Sequence, residues 1–115
     1  MPTSTYARIT LVLPVPSEPF HHTFLNQVIG ELIDRCGGAT INRNYTGVWI
    51  GDDDTREDAD RIFVFADADI EPNDPDLLLF LDSLKLRCQQ RFSELIIWMT
   101  VHRVERITTH DREMY

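Results

Sequence analysis

No apolar run in this chain approaches the ~18–20 residues that a helix needs to cross a bilayer. The N-terminal stretch MPTSTYARITLVLPVP lacks a basic leader region and a small-residue cleavage site, so it reads as a first strand. Cationic side chains are in deficit: Lys and Arg number 11 against 19 Asp and Glu, for a formal net charge of −8. Such a surface repels phosphate backbones and anionic bilayers, which argues against nucleic acid or membrane as partners. The expected location is cytoplasmic. Cysteine is scarce. Cys36 and Cys88 each fall near the end of an expected helix, on its apolar side, and are expected as reduced core thiols. A disulfide between them requires the two helix ends to meet. No GxGxxG, Walker loop, Cys/His metal spacing or serine elbow is present, and no cofactor is expected.

What remains is enough for one domain with its own core: 115 residues, 43% hydrophobic and 26% charged. Alternation over 6–15 marks a strand, with Ile9, Leu11 and Leu13 on one face. PSEP breaks it and offers Ser17 as a helix cap. A helix is expected from Pro19 to Cys36, with Phe20, Phe24, Leu25, Val28, Ile29, Leu32, Ile33 and Cys36 as one apolar stripe. Gly37–Gly38 stops it. A second strand is expected over 39–50, with a bulge at Gly47. A third follows over 61–70, with Ile62, Val64 and Ala66 on one face and Phe63, Phe65 and Asp67 on the other. EPNDPD supplies Asn73 or Asp74 as a cap and Pro75 at the first helical turn. A second helix runs to Phe92, buried through Leu77, Phe80, Leu81, Leu84 and Cys88. A fourth strand is expected over 94–107, and 108–115 as a loose tail.

The order strand, helix, strand, strand, helix, strand predicts an α+β fold. It is the ferredoxin-like βαββαβ sandwich, with two helices on one face of a four-stranded antiparallel sheet. The right-handed crossover rule places strands 1 and 3 in the centre and strands 2 and 4 at the edges. One domain spans 1–115.

Only one face of such a sheet is covered by helices, and the other is expected to be aromatic. Tyr45, Phe63, Phe65 and Trp98 are the candidate oligomer interface, since a monomer rarely leaves such a face wet. The expected partner is the chain itself, as a dimer or trimer. A small molecule or another protein is a further candidate.

The run from Asp52 to Asp60 fails the spacing of a calcium loop, because Glu57 and Phe63 stand where Gly and Glu are needed. It reads as a solvated hairpin tip whose charges discourage edge pairing. Asp52 and Asp54 are its only candidate cation ligands, and no metal site is expected. Asn42, Asn44, Trp49, Trp98 and His102 are the candidate ligand-binding residues. The strand-2 residues Asn42, Arg43 and Asn44 are placed in a pocket between helix and sheet. His102 is the single candidate for proton transfer if the protein is an enzyme.

The segment IGELIDRCGGATINRNYTGVWIG, a helix ending in Gly followed by a strand with Thr and a later Gly, resembles the PII-like and CutA-like small ferredoxin-fold superfamily. It also resembles short bacterial proteins of unknown function with a G-x-T…G-x-W strand. The resemblance implies a trimeric, non-catalytic assembly. The connection between strands 2 and 3, where PII-like proteins carry a nucleotide-sensing loop, is here short and acidic.

The reading is therefore a non-enzymatic, homo-oligomeric regulatory or small-ligand-binding module assembled through its sheet face. Two alternatives stand beside it. One is a cofactor-free enzyme of the dimeric α/β-barrel kind, a monooxygenase or isomerase, with Trp49, Asn44 and His102 lining an aromatic substrate cavity. The other is an adaptor that docks a partner protein.

Overall fold

The computed structural model describes residues 3–16, 19–93 and 97–110, apart from the side chain of Asn44. Six elements follow in the expected order: β1 (Thr3–Pro14), α1 (Pro19–Cys36), β2 (Thr40–Ile50), β3 (Arg56–Ala68), α2 (Pro75–Phe92) and β4 (Trp98–Ile107). The four strands form one antiparallel sheet in the order β2-β3-β1-β4. The two helices cover one face, as in the ferredoxin-like sandwich.

The pleat sorts the side chains. Ala7, Ile9, Leu11 and Leu13 of β1 and Ile62, Val64, Ala66 and Ala68 of β3 point to the helices and are buried. They meet Phe24, Leu25, Val28 and Leu32 of α1 and Leu77, Leu81, Leu84 and Cys88 of α2. The described residues contain no buried charged or polar side chain, so this layer is held by apolar burial. Both helices end as their chemistry dictates. Gly37 adopts φ +89° and donates its N–H to the Ile33 carbonyl at 2.7 Å, closing α1. Asp74 caps α2 by accepting from the Leu77 N–H at 3.0 Å, with Pro75 in the first turn.

Four expectations change. Phe20 and Ile33 are not in the core; they are 54% and 43% exposed, because the apolar stripe of α1 is wider than the sheet face it meets. The Arg91 guanidinium covers the Phe20 ring instead, 4.9 Å from its centroid. β3 begins at Arg56 rather than Arg61, and β1 at Thr3 rather than Tyr6, because backbone pairing with β2 and β4 extends both strands beyond their apolar stretches. The bulge lies not at Gly47 but between Asn42 and Tyr45, where Arg43 and Asn44 together oppose Ile62. Thr108 and Thr109, placed in a loose tail, are half-buried. The expected Ser17 cap, residues 94–96 of the fourth strand and residues 111–115 lie outside the described residues.

Cys36 and Cys88 are both free thiols. Burial pushes the Cys88 thiol up to about 11 and raises that of Cys36 as well, so neither carries thiolate character at neutral pH.

Leu84 is fully buried where α2 meets the sheet. Leu84→Ala is expected to lower the unfolding free energy by about 2–5 kcal/mol, read from urea denaturation. A change within error would mean that α2 is not seated on the sheet.

Candidate functional site

The face of the sheet that carries no helix is built by the second parity of each strand. Cross-strand partners share a face, so the register gives its rows. Asn42, Phe63, Val12 and Trp98 lie in one row across all four strands. Thr40, Phe65, Thr10 and Thr100 form the next, and Asp67, Arg8 and His102 the one beyond. The aromatic side chains form a ladder. Tyr45 and Phe63 have ring centroids 4.3 Å apart, and Phe63 and Phe65 5.9 Å. The four expected interface residues therefore all project from this face. Trp98, at the far edge, is 62% exposed.

The ladder continues onto an arm. Residues Arg56–Asp60 of β3 pair with β2 alone, because β1 pairs with β3 only from Arg61 onward. The outer halves of β2 and β3 thus form a two-stranded ribbon, and the molecule is drawn out to 51 × 29 × 28 Å. An isolated ribbon of this kind is marginal in water. Here Arg61 lies over the Trp49 ring, 5.1 Å from its centroid. Gly47 sits between them, and a Cβ there would stand 3.1 Å from the Arg61 Cγ. The glycine therefore serves the close passage of the arginine stem. The turn at the tip is Gly51–Thr55, closed by the Gly51 N–H to the Thr55 carbonyl at 2.8 Å and by Asp53, which accepts from the Thr55 hydroxyl. The bonds it accepts from the Thr55 hydroxyl and the Thr55 N–H hold the Asp53 carboxyl below its usual range.

The acidic run is thus only partly a loop: Glu57, Asp58 and Asp60 belong to a strand. Among the described residues no group of three or more His, Cys, Asp or Glu side chains is placed to hold a metal ion. Asp52 and Asp54 are exposed at the turn.

The open face excludes most of the chain's negative charge. Its carboxylates among the paired strand positions are Asp67 and, out on the arm, Glu57; its cations are Arg8, Arg61 and Arg106. Arg8 grips Asp67 with two bonds of 2.8 Å, from Nε and Nη2. Those bonds hold the Asp67 carboxyl below its usual range, with the charges of Arg8, His102 and Arg106 adding to the effect. Beside the pair lies a cavity of about 290 Å³, lined by Arg8, Gly38, Ala39, Thr40, Phe65 and Asp67. A larger, apolar groove of about 550 Å³ runs between α2 and β4, past Leu78, Leu79, Met99 and Val101, with Asp82 and Lys85 on its lining.

The expected ligand residues are not brought together. Asn42 and Trp49 lie on β2, while Trp98 and His102 lie on β4, the opposite edge of the sheet. Three strand spacings of ~4.8 Å separate the edges. Asn42 also belongs to the open face, opposite Phe63, and not to a pocket between helix and sheet. The side chain of Asn44 lies outside what is described. A single-chain cavity lined by Trp49 and His102 is therefore absent among the described residues. Sequence reasoning missed Arg8, Thr40 and Asp67 as pocket residues. Their signal was slight: Arg8 and Asp67 each sit on the open parity of a central strand, where opposite charges on neighbouring strands attract.

Two solved structures of CPII, a nitrogen regulatory PII-like protein from Thiomonas intermedia K12, bound to ADP, AMP and bicarbonate, are similar to this chain. In one the identity is 21% and the TM-score 0.49, covering 90% of this chain and 94% of the other. In the second they are 23% and 0.47, with 91% and 98% covered. No family model and no curated protein matches the sequence. The fold assignment rests on the strand order and helix placement of the chain itself.

Asp67 contributes stability that is present above the unfolded carboxylate pKa of about 3.9 and is lost as pH falls through its lowered folded value. Both partners are about two-fifths exposed, so the effect is small. Asp67→Asn is expected to cost up to about 1 kcal/mol at pH 7, with the difference from the native chain closing below the carboxylate range. An unchanged difference down to pH 2 would sink this account. Gly47→Ala is expected to push Arg61 off Trp49 and shift the indole emission of a Trp98→Phe background; an identical spectrum would show that the stem passes freely.

Proposed function

We propose that the chain is a non-enzymatic, homo-oligomeric module that assembles through the open face of its sheet and binds a small regulatory ligand beside it. The observation that carries this reading is the continuous ladder of Tyr45, Phe63 and Phe65, extended by Val12 and Trp98, on a face from which carboxylates are largely withheld. Copies of a chain with net charge −8 repel one another, and the open face is where that repulsion is least. Burying several aromatic rings there contributes several kcal/mol, at roughly 25 cal/mol per Å². A trimer and a dimer both satisfy these observations.

The ligand pocket this reading favours is the cavity at Arg8, Thr40 and Phe65. Arg8 uses Nε and Nη2 for Asp67, and its Nη1 takes no part in that pair. A guanidinium beside a phenyl ring suits a small anion with an apolar part.

Light scattering of the native protein is expected to give a multiple of the 13.4 kDa chain mass. Phe63→Asp is expected to give single chains with an unchanged far-UV circular dichroism spectrum. A native mass of one chain would overturn the assembly.

A further inference from the structure

The open face carries one histidine, and histidine is the side chain whose charge changes between about pH 5 and 8. On β4, Trp98, Thr100, His102, Val104 and Arg106 share that face, because their partners on β1 are Val12, Thr10, Arg8, Tyr6 and Ser4. His102 is exposed in the single chain and stands between Trp98 and Arg106. The other histidines among the described residues lie elsewhere. His21 and His22 belong to α1, which covers the opposite side of the sheet, and His110 follows the end of β4.

The charges around His102 are unbalanced. From β1, Arg8 stands directly opposite it, with Tyr6 next along the same face. From β3, Asp67 lies across Arg8, and its carboxylate feels the charges of His102 and Arg106 as well as that of Arg8. From β4 itself, Arg106 follows on the same face, whereas Arg103 and Glu105 point to the helix side and meet Glu71 and Thr5. Both oxygens of Asp67 are bonded to Arg8. Arg8 and Asp67 cancel, so the group carries the charge of Arg106 while the imidazole is neutral. A proton on His102 adds a second positive charge beside it.

On a free face that second charge is solvated. Burying it beside Arg8, against a copy that brings the same surplus, removes its water without supplying a carboxylate. The neutral imidazole carries no such cost. We infer that His102 makes assembly through the sheet face pH-dependent: copies associate while its imidazole is neutral and separate when it is protonated. The inference rests on the homo-oligomeric reading above and adds its regulation.

The direction is opposite to that of the chain as a whole. Acidification towards the sequence pI of about 4.8 lowers the net negative charge, and with it the general repulsion between copies, which by itself tightens association. His102 acts the other way. Assembly holds the neutral form, so its stability is present above the histidine range and is lost as pH falls through it. One unit below the usual histidine value of about 6.5, keeping one imidazole neutral costs about tenfold in association for each copy.

The test is light scattering over a dilution series at pH 8 and pH 5.5, on the native chain, His102→Gln and His102→Lys. His102 is exposed, so each variant is expected to keep the native far-UV circular dichroism spectrum. The native chain is expected to assemble at pH 8 and to show a dissociation constant raised about tenfold or more at pH 5.5. His102→Gln stays neutral and is expected to assemble at pH 5.5 at least as tightly as at pH 8. His102→Lys is expected to be weakened at both. In a Trp49→Phe background the Trp98 emission is expected to shift red in acid, and to stay unshifted when His102→Gln is added. A native oligomer that ignores pH, or a His102→Gln variant that comes apart in acid as the native chain does, overturns this inference and leaves assembly through the sheet face standing. A native protein of single-chain mass at pH 8 overturns both.

Discussion

Two helices can cover only one face of a four-stranded sheet, and the rest of this molecule follows from that constraint. Every strand crossing the sandwich must divide its side chains by parity between an apolar layer and an open one. β1 does so with Ile9, Leu11 and Leu13 on one side and Arg8, Thr10 and Val12 on the other. β3 answers it residue for residue, so Leu11 meets Val64 beneath the helices while Thr10 meets Phe65 on the far side. A slip of one residue would exchange the layers and place Arg8 in the core. The bulge at Arg43 and Asn44 is tolerated because it lies on an edge strand, where a change of pleat disturbs one neighbour only.

The open layer is where chemistry accumulates. The same rows that place aromatic rings side by side also place Arg8 between Asp67 and His102, beside a cavity at the start of β2. Arg8 and Asp67 fix each other's direction, and Phe65 supplies an apolar floor next to them. Beyond the sandwich, β2 and β3 continue as an arm without a helix on either side. Arg61 lying over Trp49, with Gly47 making room, takes the place of tertiary packing there.

Much of this was legible in the residues. The spacing of Phe24, Leu25, Val28 and Leu32 defined α1, and Gly37 and Asp74 marked helix boundaries by conformational freedom and by side-chain capping. Strand parity grouped Phe63 with Phe65 and Tyr45 with Trp49, because alternation within a strand is local and needs no knowledge of distant contacts. The first half of β3 was not legible. Its Glu57, Asp58 and Asp60 read as loop by composition, and only pairing with β2 makes them strand.

The order of elements and the face of each central-strand side chain are thus properties of the sequence itself, set by turn residues, caps and hydrophobic period over a few residues. Which charges meet, where the bulge falls and which candidate residues share a site are decided by strand register between segments far apart in the chain. Arg8 and Asp67 are 59 positions apart, and no local pattern specifies their bond. Trp49 and His102, grouped by residue type, are held apart by the strand order that places β2 and β4 at opposite edges.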